Sequence, residues 1–372
     1  MVQMSEISET YNFAAGPATL PQVVKEQLSR DMLDFRGQGI SIGEQGHRTE
    51  VFSEIRDQLK GCLQSLLGIP DNHQIIFLQG GARMQFAMPL LNYCHQGHKP
   101  AYIETGHWGY RGTVEASSGE YDPQVLWTDR PAGYRNIPEK LLIQKKYAFV
   151  HMVGNETIHG VQIPTNPDEF IEDHGDNWYS IDCSSDLLSR PMDCSKFGLI
   201  YACAQKNLGI VGNTVLIIRD DILDQAHDKL PPILSYKNLF KLDSIYNTAP
   251  VMAIYTSLLM CQWIQDKFGT LDKVASYNQQ KADLLYGILA KYPEFYLPHA
   301  SAAAQSHMNV VMKFADDSLQ AEFLKICRDH NMINLKGHRE LGGIRVSNYN
   351  AVPLAGVQKL CELLEDFAKK KA

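Results

Sequence analysis

Residues 178–209 read WYSIDCSSDLLSRPMDCSKFGLIYACAQKNLG, and they carry the clearest signal of the fold. Two apolar runs of strand length, WYSIDC (178–183) and GLIYACA (198–204), lie within them. Short, almost continuous apolar runs are typical of strands that are buried on both faces of a parallel sheet, because helices cover each side. The separation of the two runs fits one crossover connection, so we expect them to be neighbouring parallel strands.

Further runs of the same kind lie on both sides of this stretch: IIFL (75–78), AYIE (101–104), YAFVHMV (147–153) and TVLII (214–218). Most of them are separated by segments of helix length. One such segment repeats apolar residues at helical spacing from Val51 to Leu67, with Thr49 as the expected N-cap and Gly68 as the expected stop. The pattern predicts an α/β protein whose large domain has a mostly parallel central sheet flanked by helices.

The length of 372 residues suits one large domain with a smaller companion. After about residue 263, helical patterns alternate with fewer strands, and the chain closes on a helix that carries Leu354, Leu360 and Phe367 on one face. These features predict a smaller C-terminal α/β domain. We expect the large domain to span residues 22–263, and the small domain to combine residues 264–372 with residues 1–21, which run back against it.

The bulk composition argues against several classes of protein. A net charge of −7 argues against nucleic-acid binding, because a phosphate backbone is attracted by a basic face. The eight cysteines form no CxxC pair and no metal spacing with histidine, so they predict a reducing compartment and no metal. The N-terminus, MVQMSEISETYNF, lacks a secretory pattern, and the longest apolar runs are too short to cross a membrane. We therefore expect a cytoplasmic protein.

Polar and glycine-rich segments follow five of the expected strands: QGGAR (79–83), ETGHWG (104–109), VGNETIHG (153–160), DCSSD (182–186) and AQKNLG (204–209). Open α/β sheets bind ligands in the crevice beyond the carboxyl ends of their strands. The five strand ends are therefore expected to form one site.

Lys206 and Asp182 are the leading candidates for catalysis. Lys206 follows a buried strand, where burial would lower the pKa of its ammonium group and release a neutral amine able to form a Schiff base with an aldehyde cofactor. A lone lysine that reaches the surface is the alternative. Asp182 ends the neighbouring strand and could pair with the protonated pyridine nitrogen of pyridoxal phosphate, or it could cap the following turn.

The same strand ends offer binding groups for the other parts of a cofactor. Gly80, Gly81 and Ala82 follow a strand and open a helical segment, so their N–H groups could hold a phosphate, or they could form a simple tight turn. Trp108 could stack on an aromatic ring or belong to the core. Four basic residues in glycine-rich loops suit a small dianionic substrate, with plain surface exposure as the alternative: Arg48, His338, Arg339 and Arg345.

Several segments, spread over almost the whole chain, match one known family in the same order. They are NFAAGPATLP (12–21), GHR (46–48), QGGAR, HWG (107–109), NETIHG (155–160), IDCSSDLLSRP (181–191), ACAQKNLG (202–209), YNTAP (246–250), KGHR (336–339), GGIR (342–345) and YNA (349–351). The chain resembles the phosphoserine aminotransferases, which belong to the class V aminotransferase group of fold-type I pyridoxal-phosphate enzymes.

The resemblance implies a role for each matching residue. Lys206 would carry the cofactor, pyridoxal 5'-phosphate, as a Schiff base, and Asp182 would pair with the ring nitrogen. Trp108 would stack on the ring, and Thr157 would bind its hydroxyl side.

The anionic groups of cofactor and substrate would be held by a further set of residues. The cofactor phosphate would be bound by Ala82, Arg83 and Gln205, together with Asn247 and Thr248 of a neighbouring subunit. The resemblance therefore implies a homodimer with shared active sites. The substrate α-carboxylate would go to Arg345, and the second anionic group of the substrate to Arg48, His338 and Arg339.

The implied reaction is a reversible amino transfer from L-glutamate to 3-phosphohydroxypyruvate, giving O-phospho-L-serine and 2-oxoglutarate, as in serine biosynthesis. A phosphorylated substrate of pyridoxine biosynthesis, 4-phosphohydroxythreonine, is a second candidate. The alternatives are a serine- or alanine-glyoxylate aminotransferase, a cysteine desulfurase and a non-catalytic cofactor-binding protein. Arg48, His338 and Arg339 argue against the first two, because those substrates carry no second anionic group.

The chain departs from the family pattern at four positions. Ala82 and Met84 replace glycines of the cradle segment, and Ala15 and Gly46 stand where serines are usual. No catalytic group is lost, so these departures concern substrate affinity and specificity.

Overall fold

The computed structural model describes residues 10–95 and 97–371. The α-helices of these residues are Gln22–Leu33 (α1), Glu50–Leu67 (α2), Met84–Tyr93 (α3), His107–Ser118 (α4), Asp220–Gln225 (α5), Tyr236–Lys241 (α6), Val251–Phe268 (α7), Leu271–Lys291 (α8), Leu319–Asp329 (α9) and Leu354–Lys371 (α10). The strands are Tyr11–Asn12 (β1), His73–Gln79 (β2), Ala101–Glu104 (β3), Gln124–Thr128 (β4), Leu141–Ile143 (β5), Val150–Val153 (β6), Asn155–Glu156 (β7), Val161–Gln162 (β8), Ile171–Asp173 (β9), Tyr179–Asp182 (β10), Leu199–Cys203 (β11), Asn213–Arg219 (β12), Tyr296–Pro298 (β13), Asn309–Phe314 (β14), Met332–Ile333 (β15) and Ile344–Ser347 (β16).

The large sheet has seven strands in the order β2-β12-β11-β10-β6-β3-β4. β12 runs antiparallel to both of its neighbours, and the other pairings in this sheet are parallel. The central strands are buried along their whole length, because side chains pack on both faces of the sheet. The predicted α/β class with a mostly parallel central sheet is confirmed. β10 and β11 are parallel neighbours, as predicted, with Asp182 opposite Tyr201.

Three details of the sheet differ from the expectations. TVLII lies in the antiparallel strand β12, because residues 204–212 alone separate it from β11 and so short a connection turns back instead of crossing over. The edge strand β4 escapes the apolar pattern, since most of its side chains are only partly buried. The crossover from β10 to β11 consists of turns and a 3-10 helix, Cys194–Lys196, rather than an α-helix.

Helix α2 begins and ends where predicted. The Phe52 N–H donates to Thr49 Oγ1 at 3.2 Å, and Gly68 takes a left-handed conformation (φ 59°) that glycine adopts without strain. The helix packs against α7 with Ile55 and Leu59 fully buried. Burial of each such side chain contributes roughly 1.5–3 kcal/mol. This helix pair therefore forms much of the core on one face of the large sheet.

The C-terminal part of the chain forms a second, antiparallel sheet of β13, β14 and β16. Helices α8, α9 and α10 bury Leu285, Phe323 and Leu364 in one cluster with this sheet. Tyr11 belongs to the same cluster, and β1 pairs in parallel with β15. The expected smaller C-terminal α/β unit is therefore present, and Tyr11 and Phe13 of the N-terminal segment pack against it. Residues 1–9, which were expected to do the same, lie outside the described residues.

The division between the two parts of the chain stays a prediction. Residue 263 lies inside α7, which continues to Phe268. We therefore keep residues 22–263 and residues 1–21 with 264–372 as proposed domains. In the part of the chain that the structure describes, every helix is too short or too polar to traverse a lipid bilayer.

Candidate active site

One cavity of about 300 Å³ lies at the carboxyl ends of the parallel strands. All five polar segments that follow these strands contribute to its wall, as the sequence predicts. The lining residues are Gly81, Ala82, Arg83, Phe86, Trp108, Val153, Asn155, Asp182, Ser184, Ser185, Cys203, Gln205 and Lys206.

Lys206 and Asp182 line this cavity together, because their neighbouring strands end beside each other. Asp182 is the last residue of β10 and is 7% exposed. The Ser184 N–H donates to Asp182 Oδ1 at 2.8 Å, so Asp182 caps the following turn as well as facing the cavity. Burial raises the pKa of Asp182, and the charge of Lys206 works in the opposite direction. A buried carboxylate is costly without a partner, so a cation in the cavity would be stabilised beside it.

The pKa of Lys206 lies above its ordinary value, and the expectation of a lowered pKa is therefore wrong. Burial does lower it, but nearby groups that carry negative charge when ionised outweigh burial: Tyr349, Cys203, Asp182 and Glu156. The raised pKa favours the ammonium form of Lys206 at neutral pH. The side chain becomes a nucleophile after it has passed a proton on.

The N-terminal segment covers the stem of the Lys206 side chain. The Ala18 N–H donates to the carbonyl of the residue before Lys206 at 2.8 Å, and a Cβ added to Gly16 would lie 3.4 Å from Lys206 Cγ. The Tyr349 hydroxyl donates to the Ala15 carbonyl at 2.8 Å, which ties this segment to the loop that follows β16. The lysine therefore lies between the large sheet and the N-terminal segment.

Trp108 forms a flat aromatic wall beside Lys206. Lys206 Nζ lies 5.9 Å from the centroid of the Trp108 ring. The indole N–H donates to Thr157 Oγ1 at 3.1 Å, which fixes the orientation of the ring. An aromatic ring placed in the cavity could stack on this wall. Thr157 is buried, and its hydroxyl oxygen is the acceptor of the Trp108 indole N–H.

The segment after β2 has the form of a phosphate cradle. Gly80 takes φ 111°, a conformation that side chains disfavour, and it is fixed by hydrogen bonds of 3.0 Å to Gly212 and Thr214. The next three residues, 81–83, line the cavity just before α3 begins at Met84. The N–H groups of Met84, Gln85 and Phe86 donate to the carbonyls of residues 81–83 at 3.2, 2.8 and 3.1 Å. The N–H groups that could bind an anion here are therefore those of residues 81–83 themselves, just before the helix. The Ala82 side chain belongs to the hydrophobic cluster around α3.

Arg345 and His338 lie close to this site. Arg345 Nη1 donates to the Thr157 carbonyl at 3.3 Å, and its buried Nε has no hydrogen-bond partner among the described residues. Burial lowers the pKa of Arg345. The His338 ring lies 6.0 Å from the ring of His107, which precedes Trp108, and Arg339 is exposed in the same turn. A guanidinium with free donors suits a carboxylate.

Arg48, Asn247 and Thr248 lie away from this cavity within the same chain. Thr248 and His47 line a separate cavity of about 320 Å³. Arg48, which follows His47 in the sequence, is exposed. Asn247 Nδ2 donates to Gln79 Oε1, at the end of β2, at 2.8 Å. A single chain therefore does not assemble the complete set of predicted anion-binding residues.

Six residues that line the cavity were not predicted from the sequence: Phe86, Val153, Asn155, Ser184, Ser185 and Cys203. The strand register explains Val153, which lies opposite Asp182 and faces the same side of the sheet. Asn155 Nδ2 donates to Ser185 Oγ at 2.8 Å and to Asn309 Oδ1 at 2.7 Å, so it links the cavity wall to the small sheet. The NET and DCSSD segments of the sequence could have predicted Asn155, Ser184 and Ser185, because these residues belong to segments that already supply Thr157 and Asp182 to the predicted site.

Comparison with known proteins agrees with this geometry. The family model described as aminotransferase class-V matches residues 10–360, and the chain belongs to that family. It is 42% identical to a phosphoserine aminotransferase of Acidithiobacillus ferrooxidans over 97% of this chain and 98% of that protein. The solved phosphoserine aminotransferase from Bacillus circulans subsp. alkalophilus matches with a TM-score of 0.92 and 36% identity, covering 98% and 99% of the two chains. The PLP-bound phosphoserine aminotransferase from Trichomonas vaginalis matches with a TM-score of 0.86 and 30% identity, covering 96% and 100%.

Proposed function

We propose that this protein is a phosphoserine aminotransferase that uses pyridoxal 5'-phosphate. It transfers the amino group of L-glutamate to 3-phosphohydroxypyruvate and forms O-phospho-L-serine and 2-oxoglutarate, a step of serine biosynthesis. The observation that carries the proposal is one cavity in which Lys206 and Asp182 lie beside an aromatic wall and a phosphate cradle. Full-length similarity to proteins of that name supports the choice of substrates.

The residues of the cavity fit this cofactor. When bound, pyridoxal phosphate supplies an aldehyde that takes up the amino group and an electron-poor ring that holds the electrons of a broken bond. Lys206 Nζ would engage the aldehyde, and the buried Asp182 would hold a proton on the ring nitrogen. Trp108 would carry the ring. The phosphate would be held by Ala82, Arg83 and Gln205.

Lys206 serves two purposes in this proposal. Lys206 Nζ would have to lose a proton before it could engage the cofactor, because its raised pKa favours the ammonium form. Once the amino group of the substrate had taken its place, the neutral amine of Lys206 would accept the proton from the substrate Cα and would hold it on Nζ until it returned the proton to the bound substrate. The N-terminal segment lies against the stem of the partly buried lysine and is held by Tyr349, so it would reduce the access of water to this proton.

The basic residues near the cavity select the substrate in this proposal. Arg345, whose buried Nε has no hydrogen-bond partner within residues 10–95 and 97–371, binds the α-carboxylate. His338 and Arg339 bind the phosphate of phosphoserine or the side-chain carboxylate of glutamate. A serine- or alanine-glyoxylate aminotransferase is the competing function, and a second anion-binding group would have no use there.

We further propose a homodimer in which Arg48, Asn247 and Thr248 of one subunit complete the cavity of the other. The separate cavity at Thr248 includes Val211, whose neighbour Gly212 is hydrogen-bonded to Gly80 of the cradle. Large exposed apolar side chains are typical of interfaces. In and near these segments they are Met32, Leu33, Ile40, Met84, Val211, Phe240, Leu242 and Tyr246.

Complementation tests the shared site. Lys206→Ala and Arg48→Ala should each be impaired alone. Because half of the dimers in an equal mixture are mixed and each mixed dimer has one intact site, about one quarter of wild-type activity should return after subunit exchange. Failure to recover activity, with exchange verified by a tag on one variant, would place Arg48 in the cavity of its own chain or outside it.

A panel of keto acids tests the reaction itself. With glutamate as the amino donor, kcat/KM should be highest for 3-phosphohydroxypyruvate, and faster turnover with glyoxylate or pyruvate would replace our assignment. Glutamate alone should shift the absorbance of the bound cofactor, and no shift would indicate a non-catalytic cofactor-binding protein. The same panel, run in reverse, decides whether 4-phosphohydroxythreonine is a second substrate. A cytoplasmic location, which we also propose, fits the eight free thiols.

A further inference from the structure

Glu156 is a fully buried carboxylate next to the cavity, and the proposed reaction gives it no role. Its Oε2 accepts the Trp108 N–H at 3.0 Å, and its Oε1 accepts the Gly109 N–H at 2.8 Å. Both N–H groups belong to the first turn of α4, where the helix itself offers no acceptor. Glu156, which lies in strand β7 and is distant from α4 in sequence, therefore caps this helix.

The N-cap of α4 explains why an outside residue is needed. An N-cap side chain usually accepts the N–H groups of the first turn, but the N-cap here is Gly106. A Cβ on Gly106 would lie 2.4 Å from Glu156 Cδ. The missing side chain therefore leaves the space in which the carboxylate lies. A negative group at this end of a helix is also favoured by the helix dipole.

Two adjacent residues hold Trp108 at two points, since Glu156 binds its backbone and Thr157 binds its indole N–H at 3.1 Å. We propose that Glu156 is a positioning residue that sets the Trp108 ring at the height where it stacks on the cofactor. The inference rests on the proposed function, because it presumes a cofactor ring in this cavity. Without the carboxylate, two N–H groups at a buried helix start lose their acceptor, and the turn that carries Trp108 moves.

Protonation of Glu156 gives the proposal a signature that a purely structural contact lacks. Burial raises the pKa of Glu156 to about 7, against the opposing effect of the two backbone N–H groups. A protonated carboxyl has one oxygen occupied by hydrogen, so it accepts both N–H groups less well. The two hydrogen bonds from the Trp108 and Gly109 N–H groups to Glu156 are therefore strongest above about pH 7, and they weaken as the pH falls. Ionisable groups lie around Glu156 on every side, and they include Asp182, Lys206, Tyr134, Glu104, His159 and His107.

The test compares Glu156→Gln with a matched control, Glu115→Gln, which removes a charge from the same helix. The Kd for pyridoxal phosphate is measured with the full-length apoenzyme between about pH 6 and about pH 8.5. At about pH 8 we expect Glu156→Gln to bind about 10- to 100-fold more weakly than wild type, because a pair of charge-assisted hydrogen bonds is lost. The ratio of the two Kd values should shrink as the pH falls, and Glu115→Gln should follow wild type throughout.

A second measurement needs no cofactor. The Trp108 emission of the apoenzyme is taken as wild type minus Trp108→Phe, and it should change with a midpoint near pH 7. The change should be lost in Glu156→Gln. This variant retains His107, which also lies beside Trp108, so a change that persists in it would be due to His107 or another group and not to Glu156. Gly106→Ala, which pushes on the carboxylate without removing it, should reproduce the weaker binding.

The outcomes separate this inference from the proposed function. Wild-type protein that binds no pyridoxal phosphate would overturn the function. Wild type and Glu156→Gln that bind it equally at about pH 8, or a Kd ratio that does not change with pH, would overturn the role of Glu156 alone. Should Glu156→Gln fail to fold, the wild-type Trp108 emission still decides, and a signal that is flat through pH 7 counts against the proposal.

Discussion

Lys281 in α8 is a fully buried lysine, and its replacement by methionine tests how the loop after β16 is held. Its ammonium group donates to the carbonyls of Asn348, Tyr349 and Val352 at 2.7, 2.9 and 3.3 Å. Methionine fills nearly the same volume but donates nothing. We expect Lys281→Met to lower the free energy of unfolding by about 2–4 kcal/mol.

The expected loss of stability depends on which hydrogen-bond donors remain to each of the three carbonyls after the substitution. The Tyr349 carbonyl also accepts the Val352 N–H, and the Val352 carbonyl also accepts the Tyr277 hydroxyl. Each of these two therefore loses about 0.5–1.5 kcal/mol, whereas the Asn348 carbonyl loses its donor and costs about 1–3 kcal/mol. Removing a buried cation offsets part of the sum, which leaves about 2–4 kcal/mol.

Urea unfolding followed by tryptophan fluorescence measures this difference. Lys273→Met, on an exposed position of the same helix, is the control and should change stability by less than about 0.5 kcal/mol. Equal or greater stability of Lys281→Met would refute the reasoning, because it would mean that desolvation of the ammonium group outweighs its three hydrogen bonds.

The pH dependence of the same variant gives an independent check. Burial holds the pKa of Lys281 well below its ordinary value, and Lys267 adds repulsion. The unfolded chain therefore binds this proton more strongly than the folded chain. Wild-type stability should rise with pH between the lowered pKa and the unfolded value of about 10.4, and Lys281→Met should lack that rise.

Three further predictions concern the site. Lys206→Ala should abolish turnover and covalent retention of the cofactor on gel filtration, and full activity would remove Lys206 from the mechanism. Arg345→Lys keeps the charge but loses the paired donors, so KM for glutamate should rise about tenfold with kcat less affected, and an unchanged KM would move the α-carboxylate elsewhere. Arg339→Ala removes an exposed charge, so KM for 3-phosphohydroxypyruvate should rise about fivefold to thirtyfold, equivalent to about 1–2 kcal/mol, and steady-state kinetics that show no change would exclude it.

The position of the site is predictable from the sequence because it depends on local pattern. Apolar runs mark the strands, and the polar residues that follow them, such as Asp182 and Lys206, must emerge at one edge of a parallel sheet. The helix limits at Thr49 and Gly68 follow from equally local rules.

Other features depend on contacts between distant segments, and the sequence pattern does not contain them. The raised pKa of Lys206 arises from groups that include Tyr349, far along the chain, so burial alone gave the wrong sign. The cap of α4 by Glu156 joins two segments whose contact no spacing rule predicts. Arg48 is exposed and does not line the cavity of its own chain. Our proposal that it completes the cavity of a second subunit therefore concerns a contact between chains, which a single sequence does not display.

The antiparallel direction of β12 has a consequence for how substrate reaches the lysine. Residues 204–212 form a short tether between two adjacent strands, closed at its base by a hydrogen bond of 2.9 Å from the Ala204 N–H to the Asn213 carbonyl. Both ends of this segment are held by strands of the large sheet, so we expect Lys206 to move mainly by rotation about its own side-chain bonds. We expect the entry of substrate and the exit of product to depend on the other side of the cavity. There the N-terminal segment and the turn around His338 are held by fewer strands.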